Sequence, residues 1–135
     1  MSKTVDPTDV IKAVYVALAR GDMPTLLALS DPQIEIYQSE QLPYGGHHHG
    51  HEGLKSFLGA VRAALSSDIE TGEIYRAGDR VVQVGRTRGA TQTTGARFDA
   101  AEVHVWQVRN GLVTSLTVYA DTDALGAALD TGQAA

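Results

Sequence analysis

The chain of 135 residues contains no cysteine, which excludes disulfides, thiolate catalysis and zinc–thiolate sites. No stretch approaches the run of about 18 apolar residues that reads as a membrane span. There is no cluster of Lys and Arg, and the formal net charge is −5. Nucleic acid and anionic membrane surfaces therefore find no basic footprint here. The opening segment MSKTVDPTD is polar and lacks the apolar core of a secretion signal, so a soluble, cytoplasmic protein is expected. No internal repeat, low-complexity tract or linker interrupts the chain. What remains is ordinary globular composition, 43% hydrophobic and 20% charged. The length supports one core and is too short for two. A single domain over 1–135 is expected, with loose tails at 1–5 and 131–135.

Asp6-Pro7 has the pattern of an N-cap followed by proline in the first helical turn. Ile11, Val14, Tyr15 and Leu18 follow at i, i+3, i+4 and i+7, an apolar stripe along a helix, and Gly21 ends it. Asp22 can cap a second, short helix carrying Leu26, Leu27 and Leu29. Ser30-Asp31-Pro32 is a breaker. Residues 33–39 alternate as a strand does. Residues 42–50, LPYGGHHHG, are expected to form a loop. A third helix is predicted over roughly 52–66, with Leu54, Phe57, Leu58, Val61 and Leu65 on one face. Strands are predicted over 69–77 and 80–93, with Gly78-Asp79 and Thr94-Gly95 as turns. A short helix starts at Asp121-Thr122. Helices first and long antiparallel strands after them make an α+β fold, with helices packed on one side of a curved sheet.

The richest stretch is 102–121, EVHVWQVRNGLVTSLTVYAD. It is predicted to be two long strands joined by a type I′ turn at Asn110-Gly111, which requires positive φ at both residues. In that register Arg109 pairs with Leu112, His104 with Thr117 and Glu102 with Tyr119. Side chains alternate across a strand. One face then carries Glu102, His104, Trp106, Val108, Val113, Ser115, Thr117 and Tyr119. A face mixing apolar rings with a few titratable groups suits the wall of a small-molecule cavity. One β-bulge would invert this facing, leaving a greasy wall of Val103, Val105, Leu116 and Val118.

Three pieces of the chain carry a family resemblance: Gly21-Asp22 between the opening helices, LPYGG with Gly50-His51-Glu52-Gly53 before the third helix, and HVWQVRNGLV with VYADTDAL at the end. Over roughly 6–130 the chain resembles the ketosteroid-isomerase-related, SnoaL-like branch of the NTF2-like superfamily. The resemblance implies a cystatin-like cone: a curved antiparallel β-sheet packed with N-terminal helices around a cavity. It implies isomerase, cyclase or dehydratase chemistry, or a non-catalytic small-ligand-binding or dimerisation module, since this fold hosts many functions. The tyrosine, base and sheet carboxylic acid of ketosteroid isomerases align by eye with Ala13, Ile36 and His104, so that constellation is incomplete. The Arg-x-Asp pair of limonene-epoxide hydrolases is likewise missing at Arg86-Thr87-Arg88. SnoaL-type cyclases use a sheet His and a late Asp, for which His104 and Asp121 are the nearest positions.

His104 is thus the candidate acid/base, because a neutral imidazole exchanges protons near pH 7. The plain alternative is a core histidine satisfied by Thr117. Asp121 is the candidate second acid/base, or simply the N-cap of the last helix. Glu102, if buried, must pair or protonate, with Arg86 or Arg88 as partner; otherwise it forms a surface ion pair of little worth. By resemblance, Glu40 and Tyr44 flank a loop that shapes the cavity. Leu42, Phe57, Trp106 and Tyr15 are expected at its apolar end, where core packing alone also explains them. Tyr119 completes the candidate ligand set with Arg86. His47, His48, His49 and His51 do not make a metal site on this reading: neighbours in an extended segment point in alternate directions, and convergent ligands with supporting contacts are absent. The expected function is proton transfer beside the carbonyl of an apolar small molecule, with no cofactor and no metal. The expected assembly is a homodimer through the outer sheet face of 80–93 and 97–120.

Overall fold

The structure, a computed structural model, describes residues 5–130. Residues 1–4 and 131–135, which hold most of the two expected tails, lie outside the described residues. The elements in order are α1 (Pro7–Arg20), α2 (Met23–Ala28), β1 (Ser30–Gln38), β2 (Gly46–His49), α3 (Gly50–Ala64), β3 (Leu65–Ala77), β4 (Arg80–Thr91), β5 (Arg97–Arg109), β6 (Leu112–Ala120) and α4 (Thr122–Asp130). The local signals act as their chemistry dictates. Asp6 Oδ1 accepts from the Thr8 N–H at 2.9 Å and caps α1. Gly21, at φ 64°, closes its other end in the left-handed region. Asp22 caps α2 through the Thr25 N–H and hydroxyl.

The six strands form one open, curved sheet in the order β2-β1-β6-β5-β4-β3. It is mixed rather than purely antiparallel, because β1 runs parallel to β6, with Ile36 beside Leu116 and Gln38 beside Val118. Two corrections concern the first half. The breaker Ser30-Asp31-Pro32 opens strand β1; proline is tolerated at a strand's start. The expected loop at 42–50 contains β2, whose three histidines pair with 35–37 of β1. That edge pairing needs only backbone groups, and its four residues leave no periodicity to read.

The third correction is the decisive one. Asn110 and Gly111 both have positive φ, at 53° and 75°, and Arg109 pairs with Leu112. Beyond that turn the register slips at a bulge: Val108 faces Val113, but Gln107 faces Ser115. Thr114 is the extra residue, and its hydroxyl donates to the Gln107 carbonyl at 3.2 Å. The slip flips the rest of β6. His104 stands opposite Val118 and Glu102 opposite Ala120. Leu116, Val118 and Ala120 therefore join Glu102, His104 and Trp106 on the inner face, while Thr117 and Tyr119 turn outward, Tyr119 to 60% exposure. Helices α1, α3 and α4 cover the inner face, and the core of Ile11, Val14, Ile34, Ile36, Phe57 and Leu125 lies between.

Candidate active site

The covered face encloses a cavity of about 130 Å³. Its walls are mostly aliphatic and aromatic: Val14 and Leu18 from α1, Leu54, Phe57 and Val61 from α3, and Leu116 and Val118 from β6. Glu102, His104, Trp106 and Tyr44 also line it. Glu102 and His104 are two residues apart on β5, so both project to the same side. The His104 Nε2 lies 3.0 Å from Glu102 Oε2, and the two side chains are 8% and 2% exposed. A buried carboxylate is costly unless every oxygen finds donors, and here the donors can be counted.

Gln83, on β4 directly opposite His104, is the hub. Its Nε2 donates to Glu102 Oε1 at 2.9 Å and Oε2 at 3.1 Å. Its Oε1 accepts the Gly72 N–H at 3.2 Å. That backbone N–H can only donate, so it fixes which end of the amide meets the carboxylate. The N–H is available because β3 bulges between Thr71 and Glu73. Gly85 faces Glu102 across the sheet. A Cβ there would stand 2.3 Å from Gln83 Oε1 and 2.9 Å from Glu102 Oε1. The missing side chain is what leaves room for the pair.

Tyr15 reaches the same cluster from α1. Its hydroxyl oxygen accepts from Trp106 Nε1 at 3.0 Å and from Gln83 Nε2 at 3.2 Å. Both lone pairs are then occupied, so the hydroxyl proton points at His104 Nδ1, 2.7 Å away. With Nδ1 accepting, the imidazole proton sits on Nε2 and is donated to Glu102. Burial pushes the Tyr15 hydroxyl above its usual range, so it remains a donor. The ring also stacks on His104, 5.9 Å between centroids, and meets Trp106 edge-on.

Glu102 receives the His104 Nε2–H and one Gln83 N–H shared between its two oxygens, the other Gln83 hydrogen going to Tyr15. A carboxylate offers about four acceptor directions, so at least one is left for whatever occupies the cavity. Tyr44 lines the cavity 3% exposed, and its hydroxyl has no hydrogen-bond partner among the described residues. Burial raises its pKa to about 12, so it is a neutral donor available to a ligand.

The predicted residues thus divide. Glu102, His104, Trp106, Tyr44 and Phe57 come together at the cavity. The others do not. Asp121 is exposed and accepts the Ala124 N–H at 3.0 Å, as an N-cap of α4. Glu40 is exposed, and Leu42, though buried, lines a separate shallow groove with Glu40, Pro43 and Ala60. Arg86 points away from Glu102 and pairs with Asp99 at 2.5 Å. Tyr119 is on the outer face for the reason given above. Two members of the cluster, Tyr15 as a polar group and Gln83, escaped the sequence reading. A tyrosine in an otherwise aliphatic helix stripe was the available signal, since a buried phenol seeks a partner.

The histidine segment is separate. His47 and His49 bracket Glu35, with His49 Nδ1 2.8 Å from Oε1, and these hydrogen bonds, that of His47 foremost, hold the Glu35 carboxyl below its usual range. His48 turns to the other side against Phe57. His51 Nε2 donates to the Ser30 carbonyl at 2.9 Å. Among the described residues no group of three or more His, Asp or Glu is arranged to hold a metal. No described helix is long and apolar enough to cross a membrane.

Helices packed on a curved mixed sheet around an apolar cavity make up the architecture of an NTF2-like α+β protein. The sequence profile of the SnoaL-like domain matches residues 11–116, and the chain belongs to that family. Among solved structures it is similar to an NTF2-like protein from Burkholderia xenovorans LB400, at 32% identity over 91% of this chain and 95% of that one, TM-score 0.84. It is similar to TerC, co-crystallised with polyporic acid, at 28% identity over 93% and 98%, TM-score 0.84. A candidate polyketide cyclase from Xanthomonas campestris pv. campestris, 21% identical over 91% and 96% with TM-score 0.81, shares the fold. No protein of curated function matches the chain.

Proposed function

We propose that this protein binds a small apolar carbonyl compound in the cavity and moves a proton beside that carbonyl, as an isomerase, cyclase or dehydratase does. The observation that carries the reading is the buried Glu102–His104 pair, 3.0 Å apart on the wall of an otherwise apolar cavity. Glu102 acts as base. Its free acceptor direction takes a proton from the carbon next to the carbonyl, and the electron pair moves onto the carbonyl oxygen as an enolate. The Tyr44 hydroxyl is the donor for that oxygen. The proton on Glu102 then returns to a second carbon, or to a leaving hydroxyl. His104 keeps Glu102 oriented through its Nε2–H, and Tyr15 fixes the His104 tautomer from behind. Trp106 positions the ligand while anchoring Tyr15. This replaces Asp121 with Glu102 as the partner of His104. The co-crystallised neighbour at 28% identity supports small-ligand binding by this fold.

The test is hydrogen–deuterium exchange of the α-protons of 2-tetralone, followed by NMR in deuterated buffer. The wild type is expected to accelerate exchange, and Glu102→Gln to lose about 100-fold or more of that acceleration. Equal rates for the two proteins, both folded by circular dichroism, would overturn the assignment. A second reading, a binding module without chemistry, is favoured by one observation: Tyr15, Gln83, Glu102, His104 and Trp106 already satisfy one another within the fold. It is selected if 2-tetralone binds without exchange.

A homodimer through the outer sheet face is also proposed. Tyr119, Val103 and Val84 form one cross-strand row there, and Thr117, Val105, Val82 and Tyr75 form the next. Tyr119, Tyr75 and Val84 are 60%, 53% and 42% exposed, an apolar patch of the kind that marks an interface. Sedimentation velocity should give a dimer, and Tyr119→Lys with Val84→Lys a monomer. A monomeric wild type at high concentration counts against it.

A further inference from the structure

A cleft of about 770 Å³ runs between α1, α3 and β3. It shares Leu18, Leu58, Val61, Leu65, Ser67 and Ile69 with the cavity, so these side chains form the threshold between the two spaces. The edge of Tyr15 lines the cleft as well. The charged residues on its walls are Lys12, Arg20, Arg62 and Asp68. The chain as a whole carries a net charge of −5, yet this mouth sets three cations against one carboxylate.

These cations also differ in their pairing. Lys55, Arg76, Arg86, Arg88 and Arg109 are each in an ion pair. Lys12, Arg20 and Arg62 are in none among the described residues, and the same holds of Arg80 and Arg97 elsewhere on the surface. Arg20 lies near enough to Asp22 to help hold that carboxyl below its usual range, after the Thr25 hydrogen bonds. Arg62 reaches across to the end of α1, with Nη2 3.4 Å from where a Cβ on Gly21 would stand. Arg20 sits in the last turn of the same helix, where the dipole favours a cation. Lys12, mid-helix, has no such reason to be there. Like charges gathered at the rim of a low-dielectric opening focus a field that attracts anions. The opposite end of the path carries the buried Glu102 carboxylate, which repels them. Charge therefore falls from positive at the mouth to negative on the cavity wall.

We infer that the ligand is an amphipathic small-molecule anion: its apolar body crosses the Leu18–Val61 threshold into the cavity, and its single ionised oxygen-acid group stays in the mouth against Lys12, Arg20 and Arg62. The inference names the ligand class for the site proposed above and rests on that reading for the site's location. The neutral carbonyl end is forced inward to Glu102 because the charged end is excluded there. Lys12, Arg20 and Arg62 set orientation and selectivity and take no part in proton transfer.

A matched pair of dyes tests it: 8-anilinonaphthalene-1-sulfonate, and N-phenyl-1-naphthylamine, which lacks the sulfonate. Fluorescence titrations are run on the wild type and on the combined Lys12→Gln, Arg20→Gln, Arg62→Gln variant, all three positions being exposed. The variant is expected to bind the sulfonate about tenfold more weakly at low salt and to bind the neutral dye about as well as before. Added salt should weaken the sulfonate alone in the wild type. Equal changes for both dyes, or none for the sulfonate, overturn the inference. Val61→Trp, which narrows the threshold, should weaken both dyes; unchanged binding of both would overturn the path. The 2-tetralone assay fails independently. Charge-selective dye binding without exchange sinks the enzymatic reading and leaves this one standing; exchange without charge selectivity does the reverse.

Discussion

Replacing Tyr15 by Phe removes one oxygen from the centre of the buried cluster. The ring can stay in its place against His104 and Trp106, so the change is confined to hydrogen bonding. That oxygen accepts from Trp106 at 3.0 Å and Gln83 at 3.2 Å, and its proton goes to His104 at 2.7 Å. Gln83 keeps Glu102 as a partner. The indole N–H loses its partner, and the imidazole Nδ1 keeps only the long 3.4 Å contact from Gln83 Nε2. Each buried group left without a partner costs about 1–3 kcal/mol. Deleting the hydroxyl also removes its own desolvation cost, so the net loss should be about 2–4 kcal/mol. Against a typical total of about 5–15 kcal/mol this is a large fraction. Urea unfolding reads it directly: with a slope of about 2 kcal/mol per M, the midpoint should fall by about 1–2 M at unchanged slope. A double-mutant cycle with Trp106→Phe should show coupling of about 1 kcal/mol, because the two residues share a bond. Two-bond nitrogen–proton correlations on His104 supply a readout that stability does not move. The wild type should show the Nε2–H tautomer. A midpoint shift below about 0.3 M, or an Nδ1–H tautomer, would refute the hydrogen-bond directions assigned here.

Gly85→Ala should cost about 2 kcal/mol or more and abolish catalysed exchange, since a Cβ would stand 2.3 Å from both Gln83 Oε1 and the Glu70 carbonyl; chemical denaturation and the 2-tetralone assay together check it, and an unchanged midpoint refutes it. Tyr44 is neutral and buried in the fold, with its pKa raised from 10.0 to about 12. Its contribution is fully present below pH 10 and is lost as pH rises through about 12, an effect of order 2–3 kcal/mol. Tyr44→Phe should therefore resist alkaline unfolding better than the wild type between pH 10 and 12, and identical alkaline profiles would contradict the assigned burial. Asp121→Ala should lower stability by about 1 kcal/mol through loss of the α4 cap and leave exchange rates unchanged; a loss of exchange at intact stability would return Asp121 to the chemistry.

The sequence made β5 readable to its side-chain facing and left β6 misread after its second residue. Both strands alternate cleanly, and Asn110-Gly111 fixed the turn as expected. What alternation cannot show is a residue that belongs to neither face. Thr114 is such a residue, and its insertion alone moved Tyr119 to the surface and Leu116 to the cavity. The cap at Asp6-Pro7, the stop at Gly21 and the α3 stripe were legible because each is a short-range signal. Gln83 was not, because its importance depends on two long-range facts: the β4–β5 register that sets it opposite His104, and the bulge near Gly72 that supplies its N–H. Glu102 was expected to need a partner if buried. On the sequence its expected partners are Arg86 and Arg88, since charge suggests charge, and the fold supplies an amide and an imidazole instead. The same alternation turns both arginines to the surface, where they pair with Asp99.

The division between committed and uncommitted polar atoms limits what this cavity can do. Tyr15, Gln83, Trp106 and both nitrogens of His104 spend their hydrogen bonds on one another and on Glu102. A network satisfied in this way is rigid, and rigidity holds a base in position without waiting for a ligand to order it. Among the described residues, the atoms with capacity left on the cavity side include an acceptor direction on Glu102 and the hydroxyl of Tyr44, with Gln38, Ser67 and Thr87 also on the lining. A base and a neutral donor on the lining of one apolar cavity suit a reaction that creates an enolate and quenches it, because the charge moves from the carboxylate to an oxygen that the donor meets. His104 serves such a reaction by staying neutral. As an imidazolium it would need an acceptor at Nδ1, and the Tyr15 oxygen has already given both lone pairs to Trp106 and Gln83. The hydroxyl that a core-packing account leaves unexplained is thus what keeps the histidine a donor and the glutamate a base.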